Sequence, residues 1–138
     1  MTFPPGLVDH PANDPFVVVV WRSGCRTCQY ALPYWQRLAD ANPTAAILGV
    51  CQDDPATLAE YCRDRGITFS QRSDSGLRIS RALKVSIVPS YWLVGPSGDI
   101  ILTGEGWDRS SLESINRYLG GTQEIIQPNE DVVTFKPG

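Results

Sequence analysis

The stretch FVVVVWRSGCRTCQYALP, residues 16–33, decides the fold. Its opening residues, Phe16–Trp21, are β-branched or aromatic without polar alternation, the pattern of a central strand covered on both faces. Residues 22–24 break this pattern, and apolar residues then recur at helical spacing over residues 25–41. The stretch therefore predicts a buried strand that turns directly into a helix, with a kink at Pro33.

Strand and helix signals alternate along the rest of the chain. Residues 45–51 predict a second buried strand, and Pro55 after two aspartates predicts a helix that ends near Gly66. The later elements are a short extended piece (67–69), a short helix (77–83), a hairpin (91–94 with 100–103), and a helix from a capping box at Ser110 and Glu113 to Leu119. This order predicts an α/β fold, a three-layer sandwich of helices around a mixed sheet.

Length and composition exclude several classes of protein. The 138 residues suit one compact domain. A net charge of −3 argues against an extended nucleic-acid-binding face. The longest apolar run, Phe16–Trp21, is far shorter than a membrane span. The single histidine, His10, excludes any site that needs two histidines.

We expect one domain with an irregular segment at each end. Residues 1–15 are rich in proline and form a lead-in, residues 16–120 form the domain, and residues 121–138 form a C-terminal tail with one strand at 132–135. Residues 1–15 lack the basic and apolar regions of a secretory signal. We therefore expect a cytoplasmic protein, unless a leader was removed.

The sequence Cys25-Arg26-Thr27-Cys28 lies where the first strand turns into the helix. Unpaired N–H groups and the positive end of the helix dipole favour the thiolate of Cys25, and the charge of Arg26 acts in the same direction. Cys28, one turn further on, is near enough to close a small disulfide ring and is better shielded. We expect Cys25 to attack a partner disulfide and Cys28 to resolve the mixed disulfide.

Two structural alternatives apply to the same cysteines. A zinc site would need Cys51 and Cys62 as its other ligands, but their spacing does not match zinc ribbons or fingers. An inert pair of buried thiols is the second alternative. We expect Cys51 and Cys62 to be buried core residues, although a disulfide between them stays open. The prediction includes no metal and no organic cofactor.

Residues 17–33 resemble the thioredoxin superfamily, with an aromatic residue, Trp21, ahead of the first cysteine and Pro33 after the second. Residues 87–90 (IVPS), which precede the hairpin, are similar to the segment of that superfamily in which the proline peptide, here Val88–Pro89, is cis. Residues 47–50 and the acidic residues after them resemble the TlpA/ResA-like, AhpC/TSA-related branch. The resemblance implies a thioredoxin fold over about residues 16–119.

The resemblance also implies an activity, a set of site residues and an alternative compartment, the bacterial periplasm or envelope if a leader was removed. The activity is thiol–disulfide exchange between the Cys25/Cys28 dithiol and partner protein disulfides, with a second redox protein as reductase or oxidant. The Val88 backbone would offer hydrogen bonds to an extended substrate, and we expect a monomer. Trp107 would border the groove and contact a partner, although simple packing stays open for it. The implied groove residues are Trp21, Gly24, Arg26, Thr27, Val88, Pro89 and Trp107.

Three positions depart from the family pattern. Gly24 stands where a tryptophan is usual, so we expect Cys25 to be more exposed. Val19 and Ala31 stand where carboxylates occur in relatives, so we expect water to accept the proton of Cys28 and the resolving step to be slower.

A thiol peroxidase is the alternative activity, but residues 18–25 lack the proline and the threonine or serine that such a site uses. A non-catalytic interaction module of the same fold is the other alternative.

Overall fold

The computed structural model describes residues 1–138 and contains four helices and seven strands. The helices are α1 (Arg26–Ala41), α2 (Pro55–Arg65), α3 (Arg78–Ala82) and α4 (Arg109–Tyr118). The strands are β1 (Phe16–Trp21), β2 (Ala46–Cys51), β3 (Gln71–Ser73), β4 (Ser90–Val94), β5 (Ile100–Glu105), β6 (Trp107–Asp108) and β7 (Phe135–Lys136). No helix has the length and the apolar content of a membrane span.

A mixed sheet of five strands, in the order β3-β2-β1-β4-β5, forms the centre of the protein. The strand β1 runs parallel to β2 and antiparallel to β4, and all of its residues are buried. The pair β2–β3 is parallel and the pair β4–β5 is antiparallel. The predicted α/β fold with a mixed sheet is therefore confirmed.

The two faces of β1 belong to two separate buried clusters. Val17 and Val19 pack with residues of α1, α2 and α4 on one face. Val18 and Val20 pack on the other face, which is covered by α3 and by residues 3–8. The second face thus has only one short helix, and the N-terminal lead-in supplies the rest of that layer.

Local signals account for the two helices nearest the site. Cys25 is the N-cap of α1, and its side chain accepts from the backbone N–H of Cys28. Asp54 caps α2 by accepting from Thr57, and Gly66 ends that helix in the left-handed conformation (φ +69°). The predicted starts of both helices and the predicted end of α2 are therefore confirmed.

The predicted extended piece at residues 67–69 is wrong, because the strand lies at Gln71–Ser73. The backbone N–H groups of Thr68 and Phe69 donate to the side-chain oxygen of Gln36, at 2.8 and 3.1 Å, rather than to a strand. The side chain of Phe69 is buried in the core. The polar segment after it then pairs with β2.

The predicted N-cap of the last helix is also wrong. Asp108, not Ser110, accepts from the backbone N–H of Ser111 at 3.2 Å, so α4 begins at Arg109. The hydroxyl of Ser110 itself donates to the Asp108 carboxylate at 2.8 Å. An aspartate earlier in the sequence therefore replaces the predicted capping box.

Residues 121–138 are packed onto the domain. Ile125, Ile126 and Val132 are buried in the same cluster as α1 and α4. The strand at the end of this segment is Phe135–Lys136, paired antiparallel with β6, and not the predicted 132–135. The backbone N–H of Val132 donates to the carbonyl of Glu130 at 3.1 Å instead of to a strand, and its side chain enters the core.

Candidate active site

Cys25 lies at the junction of β1 and α1, with extended backbone angles (φ −98°, ψ 122°). Its Sγ accepts from the Cys28 N–H at 3.3 Å and donates to the carbonyl oxygen of Val88 at 3.5 Å. The side chain is only 9% exposed. The expectation that Gly24 leaves Cys25 more exposed is therefore wrong, since Val88 and Gly138 line the cleft beside the thiol.

Cys28 lies one helical turn behind Cys25 and has no exposed surface. Burial in apolar surroundings raises the pKa of its thiol well above the usual range, and the neighbouring Cys25 sulfur acts in the same direction. All four cysteines are free thiols. The geometry thus pairs a thiol at a helix N-terminus with a protonated thiol directly behind it.

The peptide bond between Val88 and Pro89 is cis. Pro89 is buried, and Val88 is half-buried with its carbonyl directed at Cys25. The hydroxyl of Ser90, the first residue of β4, donates to the carbonyl of Ile87. This segment therefore forms the wall of the site that faces the two thiols.

A cleft of about 300 Å³ opens beside Cys25. Of the two arginines near the thiols, Arg22 lines this cleft, whereas Arg26 is exposed on the first turn of α1 and lines no part of it. Arg22 is also the cation that acts on the Cys28 thiol. Arg22, and not Arg26, is therefore the arginine that lines the cleft. The lining residues are Arg22, Cys25, Gln52, Val85, Ser86, Ile87, Val88 and Gly138.

Comparison with known proteins identifies the family. The AhpC/TSA family model matches residues 7–103, more than half of the chain. The chain belongs to the AhpC/TSA family. No curated protein matches the sequence.

Several solved structures share the fold of this AhpC/TSA-family protein. The Mycobacterium tuberculosis protein dsbF is 23% identical over 78% of this chain and 82% of its own, with a TM-score of 0.70. A secreted Mycobacterium tuberculosis disulfide oxidoreductase homologous to Escherichia coli DsbE is 17% identical, over 78% and 83% of the chains, with a TM-score of 0.69. A thioredoxin-like protein is 21% identical over 78% of both chains, with a TM-score of 0.70. The predicted thioredoxin fold is confirmed.

Two predicted groove residues of this AhpC/TSA-family protein lie in its core. Trp21 has no exposed surface, and its indole N–H donates to the side chain of Gln71 at 3.0 Å. Trp107 is 1% exposed, and its indole N–H donates to the carbonyl of Val133 at 2.8 Å. The chain's own C-terminal segment therefore covers the tryptophan that was predicted to contact a partner.

Apart from Arg26, the other predicted groove residues lie around the thiols. Gly24 is exposed immediately before Cys25. Thr27 is almost fully buried, and its hydroxyl donates to the carbonyl of Pro137 at 2.6 Å. The structure thus brings Gly24, Thr27, Val88 and Pro89 to the site.

Sequence reasoning missed Asp53, which holds the loop that precedes Cys25. Its carboxylate accepts from the backbone N–H of Ser23 at 2.8 Å and from the thiol of Cys51 at 3.4 Å. Gln29 donates to the carbonyl of the same Ser23 at 2.8 Å. The only local signal was the pair of aspartates before Pro55, of which Asp54 serves as the helix cap.

The remaining cysteines of this AhpC/TSA-family protein lie away from the cleft. Cys51 is fully buried at the end of β2, as predicted, and burial raises the pKa of its thiol to about 12. Cys62 on α2 is only partly buried. No group of three or more histidine, cysteine or carboxylate side chains lies close enough together to hold a metal ion.

Proposed function

We propose that this protein is a thiol–disulfide oxidoreductase in which Cys25 is the nucleophile and Cys28 is the resolving thiol. The observation that carries the proposal is the arrangement of the pair: the Cys25 sulfur accepts from the Cys28 N–H at the start of α1. Such an N–H group stabilises a thiolate. The disulfide oxidoreductase among the similar structures supports the same activity.

The reaction proceeds by two displacements at sulfur. The thiolate of Cys25 attacks one sulfur of the partner disulfide, which forms a mixed disulfide and releases a partner thiolate. The Cys28 thiol then loses its proton and attacks the Cys25 sulfur, which closes the Cys25–Cys28 disulfide and releases the second partner thiolate. The partner gains two electrons and two protons. A second dithiol protein restores the reduced form, and the reverse sequence oxidises a partner dithiol.

The residues around the thiols divide the remaining work. Val88 and Pro89 form the wall along which an extended substrate lies, with Thr27 on the opposite side. Arg22 stabilises the anionic sulfur from within the cleft. Because Val88 already accepts from the Cys25 thiol, deprotonation of Cys25 releases this carbonyl for a substrate N–H.

The compartment follows from the substrate. Protein disulfides persist in oxidising compartments, and one of the similar structures is that of a secreted protein. We therefore favour the periplasm or envelope over the cytoplasm that the sequence analysis preferred. Fractionation of the source cells followed by immunoblotting tests this choice, and recovery in the cytoplasm alone would reverse it. The monomeric state stays a prediction.

Insulin reduction with dithiothreitol tests the activity. The wild-type chain is compared with Cys25→Ser, Cys28→Ser and the control Cys62→Ser, whose partly buried side chain lies on α2. We expect turnover in the wild type and in Cys62→Ser and none in the other two. On a non-reducing gel, Cys28→Ser should trap a mixed disulfide with a protein substrate, whereas Cys25→Ser should not.

Two results would overturn this assignment. Peroxide consumption that survives Cys28→Ser would indicate a thiol peroxidase. Absence of cysteine-dependent turnover in both assays, with the wild-type protein folded, would indicate an interaction module.

A further inference from the structure

The last residues of the chain, 134–138, here named the C-terminal strap, lie in the groove beside Cys25. Gly138 lines the cleft together with Cys25 and Val88. We propose that the strap occupies the substrate site as an internal competitor, so that a protein substrate reaches Cys25 only after the strap has moved out.

The strap enters the groove as a β-strand. Phe135 and Lys136 pair antiparallel with Asp108 and Trp107, and the Arg109 N–H donates to the carbonyl of Thr134 at 3.0 Å. Main-chain pairing of this kind is how an extended peptide adds to an exposed strand edge. The edge offered by β6 is therefore already used by the chain itself.

Beyond the strand, the strap contacts both walls of the site. The hydroxyl of Thr27, which lies between the two cysteines in sequence, donates to the carbonyl of Pro137 at 2.6 Å. A Cβ atom added to Gly138 would come within 2.6 Å of the Val88 carbonyl oxygen. The strap thus spans the space between the cysteine turn and the segment that contains the cis peptide.

The neighbouring backbone leaves room for the strap at Gly106. This glycine has φ +76°, and a Cβ atom on it would collide with the carbonyl oxygen of Lys136. Only a residue without a side chain allows the strap to approach so closely. The fit shows a groove shaped for an extended backbone with a small residue, here Gly138, next to the nucleophile.

The strap is attached weakly, whereas the residues before it are anchored firmly. Phe135 is 56% exposed, and Pro137 and Gly138 are also exposed, so few apolar contacts hold the strap. Just before it, Val132 is buried, and the Arg37–Glu130 ion pair (2.8 Å) ties residue 130 to α1. Opening therefore needs the loss of a few hydrogen bonds and of the contact between the Lys136 ammonium and the Tyr30 ring (5.2 Å), with the anchor left in place.

This arrangement also indicates the class of substrate, a part of the inference that rests on the proposed function. A partner would pair an extended segment with β6 in place of residues 135 and 136 and present its disulfide to Cys25 in the cleft that Gly138 now lines. The site would thus select extended protein segments by backbone pairing more than by side-chain pockets.

Alkylation of the reduced protein with iodoacetamide tests the occlusion without any redox turnover. Trypsin cleavage after Arg22 and Arg26 separates Cys25 from Cys28, so mass spectrometry follows each thiol. The first variant lacks residues 135–138 but keeps the carbonyls of Val133 and Thr134, which accept from Trp107 and Arg109. We expect alkylation of Cys25 to be faster by more than about tenfold, because several hydrogen bonds are lost, and the rate at Cys62 to be unchanged.

A second pair of variants tests the same point in the full chain. Thr27→Val removes the donor to Pro137, whereas Thr27→Ser keeps a hydroxyl. We expect Thr27→Val to speed alkylation of Cys25 about fivefold, the effect of one hydrogen bond on the opening equilibrium, and Thr27→Ser to react like the wild type. If the shortened chain fails to fold, the comparison of Thr27→Val with Thr27→Ser tests the proposal without it.

Equal alkylation rates at Cys25 in the wild type, the shortened chain and Thr27→Val would overturn the proposal that the strap covers the substrate site. Faster reaction at Cys62 as well as Cys25 would also overturn it, because that pattern indicates general loosening. A wrong assignment of the oxidoreductase activity would give a different result. Insulin reduction would then be absent, whereas the differences in alkylation rate between the variants would remain.

Discussion

Alkaline pH should destabilise the reduced protein through two buried thiols. Cys28 and Cys51 have no exposed surface, and burial raises the pKa of each thiol above its ordinary value of 9.0, that of Cys51 to about 12. Between these pH values the unfolded chain has released protons that the folded chain retains. Because the unfolded state then binds fewer protons, the free energy of unfolding falls as the pH rises. The full stability is present below about pH 9 and is lost progressively above it.

The size of the loss in stability follows from the raised pKa values of the two thiols. Between about pH 8 and pH 10, a thiol that stays protonated in the folded state and titrates normally in the unfolded chain contributes a loss of about 1.4 kcal/mol. The two thiols together lower the free energy of unfolding by about 3 kcal/mol, against a total of about 5–15 kcal/mol for a domain. Cys51→Ala should remove about half of this pH-dependent loss.

Urea unfolding with a reductant, at about pH 8, 9 and 10, measures these losses for the wild type and Cys51→Ala. The tyrosines contribute equally to both proteins, so the difference in slope belongs to Cys51. Val50→Ala is the matched control, because this neighbour in β2 is equally buried but has no ionisable group. It should lower stability at every pH and keep the wild-type slope. Parallel curves for the wild type and Cys51→Ala would refute the reasoning.

Two further substitutions test side chains that hold the loops around the site. The buried carboxylate of Asp74 accepts three hydrogen bonds at the start of α3 (2.7–3.0 Å), so Asp74→Ala should lower the free energy of unfolding by about 2–4 kcal/mol. Asp74→Asn should lower it less, and a loss near zero for the alanine variant in urea unfolding would contradict this role. Asp53→Ala frees the Ser23 N–H and should lower stability by about 1–2 kcal/mol and change the alkylation rate of Cys25. Asp53→Asn keeps an acceptor oxygen and should stay close to the wild type, and equal loss in both Asp53 variants would show that this hydrogen bond is unimportant.

The sequence predicted the elements whose signals are local. The bounds of β1 were right, because an unbroken apolar run ends sharply at Arg22. The start of α2 was right because Asp54 and Pro55 are typical of the first turn, and its end because Gly66 adopts the left-handed conformation. The position of Cys25 at a helix start followed in the same way, because the strand pattern of residues 16–21 gives way to helical spacing from residue 25 onward.

Elements set by long-range contacts escaped prediction. The strand Gln71–Ser73 has no apolar pattern, and its position depends on pairing with β2. It also depends on Gln36, whose side-chain oxygen accepts from the backbone N–H groups of residues 68 and 69. The contact between Thr27 and Pro137 joins residues 110 positions apart. No periodicity records such a contact, so the sequence showed a tail where the structure has a strap.

Trp107 shows how the same limit affects the interpretation of function. The sequence placed an indole beside the groove and left open whether a partner or the core would contact it. The structure gives that place to Val133, whose carbonyl accepts from the indole, and to Tyr34, whose ring lies 4.9 Å from the indole ring. An amphipathic side chain suits a partner and the chain's own backbone equally well, so only the path of the C-terminal segment decides between them.

The surroundings of Cys28 connect the chemistry to the missing carboxylates. Val19 and Ala31, the positions at which the family resemblance implies carboxylates, are fully buried in the same cluster as Cys28. Burial raises the pKa of the Cys28 thiol, and neither Val19 nor Ala31 offers a base that could accept its proton. In the proposed reaction this proton must leave before Cys28 can attack the mixed disulfide, so we expect the second displacement to be the slower of the two. The proposal therefore predicts a long-lived mixed disulfide with the partner, and a strap that returns to the groove only after that bond is broken.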